Sequence, residues 1–246
     1  MTWLLDLDGV VWLAERPIHG AADAVARLRE AGERVLFATN NSWARVGDQE
    51  TKLERMGIPA AGDVVTSAMA AATLVEPGER VLVAGGPGVV EAVARRGGDP
   101  VREGDADAVI VGFHRDFDYE RLRLAMTAVI HGGRLIATND DATYPTPDGP
   151  IPGGGSLAAA VAYASGATPT VAGKPHRPMA DLVRAIAGGE GTVVGDRPET
   201  DGAFAAALGY RFALVLTGVT SEADLPVEPE PALVADSLAD LVPETS

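Results

Sequence analysis

Two aspartates placed two residues apart, Asp6 and Asp8, are the residues of this chain best suited to chemistry. They end an apolar run that starts at Trp3, and Gly9 follows them at once. Alternate residues of an extended strand point to the same side, so the two carboxylates are expected to converge. Two like charges that close are costly unless a cation or a proton lies between them. The spacing is compatible with a cation-binding acid pair and with a strand that simply ends in an Asp-Gly turn.

Three further polar clusters follow apolar runs that are typical of buried strands. They are Thr39 with Asn40, Lys174 alone, and Asp196 with Asp201. The carboxyl ends of parallel strands share one edge of a sheet, so residues far apart in the chain can meet there. Several carboxylates suit a hard cation such as Mg²⁺. Neutral donors and a lysine suit the charge that spreads over a transferring phosphoryl group. The four clusters together therefore predict phosphoryl-transfer chemistry.

Each of these clusters also has an ordinary structural interpretation. Thr39 and Asn40 are compatible with a simple turn, and Lys174 with a solvated lysine before a proline. Asp196 suits the start of a helix, with Asp201 on its solvated face. It is their order, spacing and shared position after strands that favour a common site.

Alternating strands and helices are predicted to position the clusters. Buried strands are predicted at 34–38, 64–67, 81–84, 108–111, 135–138, 170–172, 192–194 and 212–216, and helices at 21–31, 46–56, 89–96, 119–131, 156–164, 179–187 and 201–208. This alternation indicates a mostly parallel sheet covered by helices. The connection 144–155 shows no pattern of its own, and the acidic tail from Asp224 is predicted as loop plus one short helix. We expect one α/β domain, residues 1–75 and 169–246, interrupted by an α/β unit at 76–168.

The composition argues against several classes of function. The chain carries 35 acidic and 20 basic residues among 246, a net charge of −15. No basic stripe is available for nucleic acid or an anionic membrane, so neither is an expected partner. Cysteine is absent, which excludes disulfides, thiolate catalysis and thiolate metal sites. Neither a signal peptide nor a membrane span is visible, and we expect a soluble, cytoplasmic protein.

The combined motifs resemble those of the haloacid dehalogenase-like (HAD) phosphatase superfamily, and within it the NagD/4-nitrophenylphosphatase branch, subfamily IIA with a C2-type cap. The motifs are Asp6-Leu7-Asp8-Gly9-Val10, Thr39-Asn40-Asn41-Ser42, Gly173-Lys174-Pro175 and Gly195-Asp196-Arg197 with Asp201, and the match extends to Trp12, Val64–Ala68, Ala137–Asp141, Pro145 and Pro152–Ser156. The resemblance implies a Rossmann-like, doubly wound parallel sheet as the HAD core. It also implies that the inserted α/β unit is a cap domain that selects the substrate.

The resemblance implies a role for each residue of the predicted chemistry. Asp6 would be the nucleophile that forms an aspartyl-phosphate, which splits one hard step into two easier ones. Asp8 would be the general acid to the leaving group and then the general base for water. Thr39 and Asn40 would bind phosphate oxygens, and Lys174 would stabilise both the phosphate and the nucleophile.

The resemblance also implies Mg²⁺ as the cofactor. The ion would be held by Asp6, the backbone carbonyl of Asp8, and Asp196, with Asp201 supporting this metal shell. Gly9 has a physical reason of its own, because the chain must turn sharply beside the phosphate without a Cβ.

The sequence thus predicts an enzyme, a Mg²⁺-dependent phosphatase that hydrolyses small phosphate monoesters through an aspartyl-phosphate. A phosphotransferase or phosphomutase with the same intermediate stays open, and so does a noncatalytic sensor of phosphorylated metabolites. The expected partner is a small phosphorylated metabolite such as glycerol phosphate, phosphoglycolate, pyridoxal phosphate, a sugar phosphate or a nucleoside monophosphate. A homodimer also stays open, because cap-mediated dimers occur among members of the family.

The chain departs from the family pattern at three positions, Ala44, His114 and His176. None of them belongs to the predicted chemistry. His114 lies in the predicted cap, where relatives often carry Asp, and therefore bears on which substrate is chosen. A hydrogen-bonded surface histidine is the simpler interpretation of this residue.

Overall fold

The computed structural model describes residues 1–13, 16–144, 146 and 149–242. Pro145, part of the predicted cap motif, lies outside the described residues, as do residues 243–246 of the predicted core. Across the described ranges, no helix combines the length and apolar character needed to cross a membrane.

Strands and helices alternate along the chain. Among the described residues, the strands in chain order are β1 (Thr2–Leu5), β2 (Trp12–Leu13), β3 (Arg16–Pro17), β4 (Arg34–Thr39), β5 (Val64–Thr66), β6 (Arg80–Ala84), β7 (Asp99–Val101), β8 (Ala108–Val111), β9 (Arg134–Ala137), β10 (Thr143–Tyr144), β11 (Ile151–Pro152), β12 (Thr170–Val171), β13 (Gly191–Gly195), β14 (Arg211–Val215) and β15 (Leu233–Ala235). The α-helices are α1 (Ala21–Glu30), α2 (Val46–Arg55), α3 (Ser67–Ala72), α4 (Pro87–Arg95), α5 (Tyr119–Ile130), α6 (Gly154–Ser165), α7 (Arg177–Ala187), α8 (Ala203–Leu208) and α9 (Leu238–Leu241). A π-helical turn covers Pro198–Gly202, and a short 3₁₀-helix covers Glu222–Asp224.

The chain forms two compact units, the first made of three segments, 1–39, 47–65 and the chain from Ala180 onward. Its sheet has the strand order β15-β14-β13-β1-β4-β5. β1 lies at the centre and pairs in parallel with both β13 and β4. Its residues Leu4 and Leu5 have no exposed surface. A central parallel strand is covered on both faces, which explains why this run is apolar without alternation.

The second compact unit consists of Asn40–Val46 and Thr66–Met179. Its sheet has the order β12-β9-β8-β6-β7, and all its registered pairs are parallel. The side chains of β8 are fully buried, and α5 and α6 pack in the same apolar cluster through Ala125, Ala128 and Val161. Small residues on these helices let the helix backbones approach the sheet closely.

The predicted α/β class with mostly parallel sheets is confirmed. The main strands and helices also lie where the hydrophobic pattern predicts them, usually within two residues. The boundaries of the predicted core and cap stay predictions. β12, which those boundaries assign to the core, pairs with β9 in the sheet of the second unit.

Two stretches predicted to be irregular contain short strands. In the connection 144–155, β11 pairs antiparallel with β10. In the acidic tail, β15 pairs in parallel with β14, and the predicted short helix is α9. Strands of two or three residues are too short to show periodicity, and β15 is a partly exposed edge strand among prolines.

Candidate active site

Asp6 directly follows the central strand of the first unit. Its backbone N–H donates to the carbonyl of Val194 at 2.9 Å, which extends the parallel ladder between β1 and β13 by one residue. Because β1 is buried and paired on both sides, the backbone position of Asp6 is fixed by the sheet. The polar residue therefore stands where the strand leaves the core, at the carboxyl end of the sheet.

Two further carboxylates lie beside Asp6. Asp196 follows β13, and Asp201 lies in the π-helical turn after it; they are 2 % and 0 % exposed. One carboxylate oxygen of each of Asp6, Asp196 and Asp201 lies within 4.8 Å of the other two. The backbone N–H of Arg197 donates to Asp201 Oδ2 at 3.3 Å. Three carboxylates this close repel one another unless positive charge lies among them, so the donor set suits a hard divalent cation.

Glycines let the backbone approach these carboxylates. Gly9 has φ +83°, and a Cβ there would overlap Asp196 Oδ2. A Cβ at Gly195 would overlap the Asp201 side chain, and one at Gly218 would overlap Asp196. The cradle around the acidic group therefore exists only while these three positions have no side chain.

A loop after β14, which was not among the predicted clusters, also holds Asp196. The backbone N–H of Val219 donates to Asp196 Oδ2 at 2.6 Å, and the N–H of Thr220 donates to the Asp196 carbonyl at 3.3 Å. The hydroxyl of Thr217 donates to the carbonyl of Gly9. The signal was present in the sequence, since Thr-Gly-Val-Thr follows a predicted strand at the edge where the other clusters lie.

Asp8 lies on the turn after β1, and its side chain is outside the group of three carboxylates. The indole Nε1 of Trp12 donates to Asp8 Oδ1 at 3.1 Å. The resemblance assigns a proton-transfer role to this side chain and a metal-ligand role only to its backbone carbonyl. The position of the side chain is compatible with that division.

Thr39 is the last residue of β4, the strand that neighbours β1 on the side opposite β13. It is 2 % exposed. The structure thus places Asp6, Asp8, Thr39 and Asp196 at or just after the carboxyl ends of three adjacent strands, and Asp201 in the turn that follows β13.

In the second unit, the structure brings Asn40 and Lys174 together. The Asn40 Oδ1 accepts from the backbone N–H of Lys174 at 2.8 Å, and its Nδ2 donates to the Lys174 carbonyl at 3.0 Å. Nδ2 also donates to Asp141 Oδ2 at 3.1 Å. The Lys174 side chain is 2 % exposed. The amide of Asn40 is thus engaged with the main chain of the lysine segment.

The backbone of Asn40 is held as firmly as its side chain. Its carbonyl accepts from the hydroxyl of Ser67 and from Nδ2 of Asn139, both at 2.8 Å. A Cβ on Gly173 would come within 2.5 Å of Asn40 Oδ1, so glycine is needed for this close packing. Four chain segments, around residues 40, 67, 139 and 174, are therefore joined through one asparagine.

The residues that depart from the family pattern also lie in the second unit. His114 packs edge-on against Trp43, with ring centroids 5.1 Å apart. Burial lowers the pKa of the His114 imidazole below its usual 6.5, and the charge of Arg121 lowers this pKa further. The half-exposed His176 contacts Asp140 through Nε2 and Oδ2, 2.7 Å apart.

Comparison with known proteins identifies the family. Two family models match, one for haloacid dehalogenase-like hydrolases over residues 3–98 and one for HAD-hydrolase-like domains over 171–241. A 5′-nucleotidase, YutF, of Bacillus subtilis is 32 % identical, and the alignment covers 98 % of this chain and 97 % of that protein. The chain belongs to the haloacid dehalogenase-like hydrolases. The two matched stretches contain Asp6, Asp8, Thr39, Asn40, Lys174, Asp196 and Asp201.

The relatives of this HAD-like hydrolase are phosphatases. The D-glycerol 3-phosphate phosphatase of Mycobacterium tuberculosis is 39 % identical over 90 % of the chain, which spans 64 % of that protein's length. A glycerol phosphate phosphatase from the same organism, solved in complex with magnesium, superposes with a TM-score of 0.91 at 36 % identity, covering 99 % of this chain and 76 % of that one. A p-nitrophenyl phosphatase from Archaeoglobus fulgidus superposes with a TM-score of 0.92 at 31 % identity, covering 98 % and 97 %. The predicted resemblance to the 4-nitrophenylphosphatase branch is confirmed.

Proposed function

We propose that this HAD-like hydrolase is a Mg²⁺-dependent phosphatase that cleaves small phosphate monoesters through an aspartyl-phosphate on Asp6. One observation carries the proposal: oxygens of Asp6, Asp196 and Asp201 gather within 4.8 Å at the carboxyl ends of buried strands. Such a group is unstable without positive charge. A bound cation together with a phosphate ester would supply the charges that balance it.

The residues fit a magnesium ion. Asp6, Asp196 and the backbone carbonyl of Asp8 would hold it, and Asp201 would support that shell. All are oxygen donors, the type that Mg²⁺ prefers, and the ion usually combines one or two carboxylates with waters and a substrate phosphate. A mycobacterial relative that was solved in complex with magnesium supports the choice of this ion. When bound, the ion neutralises charge on the phosphoryl oxygens and lets the anionic nucleophile approach.

In the first step, a carboxylate oxygen of Asp6 attacks phosphorus and the ester P–O bond breaks. The electron pair of that bond leaves with the ester oxygen, which takes the proton of the Asp8 carboxylic acid and departs as an alcohol. The products of this step are an aspartyl-phosphate on Asp6 and a deprotonated Asp8.

In the second step, water attacks the phosphorus of the aspartyl-phosphate and transfers a proton to the Asp8 carboxylate. The bond between phosphorus and the Asp6 oxygen breaks, its electron pair returns to Asp6, and inorganic phosphate leaves. Both carboxyl groups then have their starting protonation states. One residue can serve as acid and then as base because the first step leaves it deprotonated.

Thr39, Asn40 and Lys174 are proposed to bind and neutralise the phosphate oxygens. For Asn40 the hydrogen bonds to the Lys174 main chain support a second role, in which it positions the segment that carries the lysine. Lys174 is buried, and a positive charge shielded from solvent interacts far more strongly with phosphate than it would in water.

The substrate is proposed to be the phosphate ester of a small alcohol. The relatives are named for glycerol phosphate and 5′-nucleotides, so glycerol 3-phosphate and nucleoside monophosphates are the first esters to test. These esters have poor leaving groups, and their cleavage benefits most from a general acid such as Asp8.

Phosphate release from a panel of monoesters, including 4-nitrophenyl phosphate, tests the function with Mg²⁺ and with EDTA. We expect metal-dependent release that falls by at least about 1,000-fold in Asp6→Asn, because the amide is not a nucleophile. The variant should fold and melt no lower than the wild type, since it relieves carboxylate crowding. Asp23 is an exposed residue of α1, and Asp23→Asn is the matched control, which should keep full activity.

Substantial turnover by folded Asp6→Asn would contradict the nucleophile assignment. The reaction products distinguish a phosphatase from a phosphotransferase or phosphomutase. Inorganic phosphate equal to the alcohol released supports hydrolysis, whereas appearance of a second phosphate ester would indicate phosphotransfer.

A further inference from the structure

We infer that Trp12 is a positioning residue for proton transfer by Asp8, which it holds through its indole N–H. The inference rests on the proposed function, since it assigns a role within that reaction. It concerns residues of the first unit only. The family resemblance covers Asp8, Gly9 and Trp12 but assigns Trp12 no role, and the role inferred here comes from the geometry.

The turn after β1 brings the indole back to the acid. The backbone N–H of Trp12 donates to the Leu7 carbonyl at 3.1 Å, and the N–H of Gly9 donates to the Trp12 carbonyl at 2.7 Å. This closed turn places Nε1 of Trp12 3.1 Å from Asp8 Oδ1. Two backbone bonds and one side-chain bond thus link the same few residues.

The indole cannot easily move away. Trp12 is 2 % exposed, and its strand β2 pairs antiparallel with β3, where Trp12 lies opposite Pro17. The ammonium Nζ of Lys52 lies 4.1 Å from the ring centroid. A cation over the ring face is attracted by the π electrons and draws them toward itself, which makes the N–H a stronger donor.

A fixed donor on one oxygen decides which oxygen of Asp8 moves the proton. Indole Nε1 is a donor only, so Oδ1 always acts as the acceptor in this contact. A carbonyl oxygen is a better acceptor than a carboxylic acid hydroxyl, so the contact favours the acid that carries its proton on Oδ2, from which it passes to the ester oxygen in the first step. In the second step the same Oδ2 takes the proton from water. Removing the indole N–H takes away one of the contacts that orient the carboxyl group, which lowers the fraction of time it is aligned.

Leaving-group dependence separates this role from a purely structural one. An alkyl phosphate releases a strongly basic alkoxide and needs the proton of Asp8, whereas 4-nitrophenyl phosphate releases a stable anion and needs it much less. The parameter kcat/KM covers the steps up to departure of the leaving group. It therefore reports on the acid step without the later hydrolysis of the aspartyl-phosphate.

The experiment measures kcat/KM of Trp12→Phe for glycerol 3-phosphate and for 4-nitrophenyl phosphate with saturating Mg²⁺. We expect a loss of about 10-fold or more for the alkyl ester and less than about 3-fold for the aryl ester, a part of the usual gain from general acid catalysis. Trp12 replaced by 3-benzothienylalanine, which keeps the ring volume and lacks the N–H, should show the same split. Trp3→Phe in β1 is the matched control and should show no split.

Equal losses for both esters in the sulfur isostere would overturn the inference, because the ring would then act through packing alone. Failure of the proposed function would give other results than failure of the inference about Trp12. A wild-type enzyme that releases no phosphate from either ester, or an Asp8→Asn variant without any leaving-group split, would remove the general acid itself and with it the role of Trp12.

Discussion

At the scale of single residues, the acidic group of the first unit depends on the absence of a side chain at Gly9 as much as on the carboxylates that form the group. Gly9 has φ +83° and stands against Asp196 Oδ2 with no room for a Cβ. Two separate physical demands therefore meet at one position, a left-handed backbone and a close approach to a carboxylate. Most glycines at turns satisfy only the first of these.

A pair of glycine variants separates the two demands. Gly62 has φ +81°, and no atom of the described residues lies within 4 Å of the place a Cβ would take, so it shares only the backbone demand. We expect Gly62→Ala to lose roughly 1–2 kcal/mol of unfolding free energy, the usual cost of a left-handed alanine, and Gly9→Ala to lose more, because its Cβ must also displace Asp196. Only Gly9→Ala should also lose most of its Mg²⁺-dependent activity, because its Cβ displaces Asp196.

Denaturant unfolding and phosphate release at several Mg²⁺ concentrations measure both effects. Full activity of folded Gly9→Ala would mean that Asp196 can move aside at no cost to the reaction. The proposal that the reaction depends on the exact position of Asp196 would then be wrong.

At the scale of elements, the carboxyl ends of strands were the predictable part of the site. Asp6, Thr39 and Asp196 stand where the sequence analysis placed them, because an apolar run followed by a polar residue is a signal that one sequence contains. The Thr217–Thr220 loop was missed because it holds Asp196 through backbone N–H groups, which any sequence supplies, so its position after a strand was the only signal for it. The orientation of the Trp12 indole was missed for a related reason, since it depends on the closed turn.

The Asn40 side chain connects elements that are far apart in the chain. It bonds both main-chain groups of Lys174 and the carboxylate of Asp141. We expect Asn40→Ala to raise KM for the phosphate ester by about 10-fold, because two or three hydrogen bonds that position the lysine segment are lost. The kcat of the variant should fall as well, since the positive charge of Lys174 is proposed to stabilise the transition state.

The conservative variant Asn40→Asp tests which of the Asn40 hydrogen bonds matter. Asn40→Asp keeps the acceptor for the Lys174 N–H but loses the donor to its carbonyl and faces Asp141 with a like charge. It should therefore be at least as impaired as Asn40→Ala in steady-state kinetics. Near wild-type kinetics for both variants would show that the lysine segment is held by its other contacts.

At the scale of the whole molecule, the fold class and the element order followed from the hydrophobic pattern, while the boundaries of the predicted core and cap stay predictions. Segment 40–46 belongs to the second compact unit although it follows β4 of the first. Such an exchange of short segments depends on tertiary packing, and local periodicity contains no information about it. The short strands β7, β10 and β11 were missed because they are held by their partners.

The net charge of −15 also acts on the whole molecule. Like charges repel more in the folded than in the expanded chain, and salt weakens this repulsion. We expect Tm to rise by a few degrees, roughly 2–5 °C, between low salt and physiological NaCl, both with EDTA present to exclude bound divalent cations. Calorimetry at the two concentrations measures it, and a Tm that falls with salt would show that attractive ion pairs outweigh the net repulsion.

The order in which the chain is synthesised gives the split first unit a particular consequence. The strands of the second sheet all lie between Arg80 and Val171, whereas β1 of the first sheet pairs with β13, which begins at Gly191. A chain emerging from the ribosome can therefore complete the second sheet while β1 still lacks one of its two neighbours. Asp6 precedes the strands of the second sheet in the chain, whereas Asp196 and the Thr217–Thr220 loop follow them. The acidic centre is therefore completed only after the second sheet has been synthesised, so we expect a nascent chain to be able to form that sheet before the proposed metal site exists.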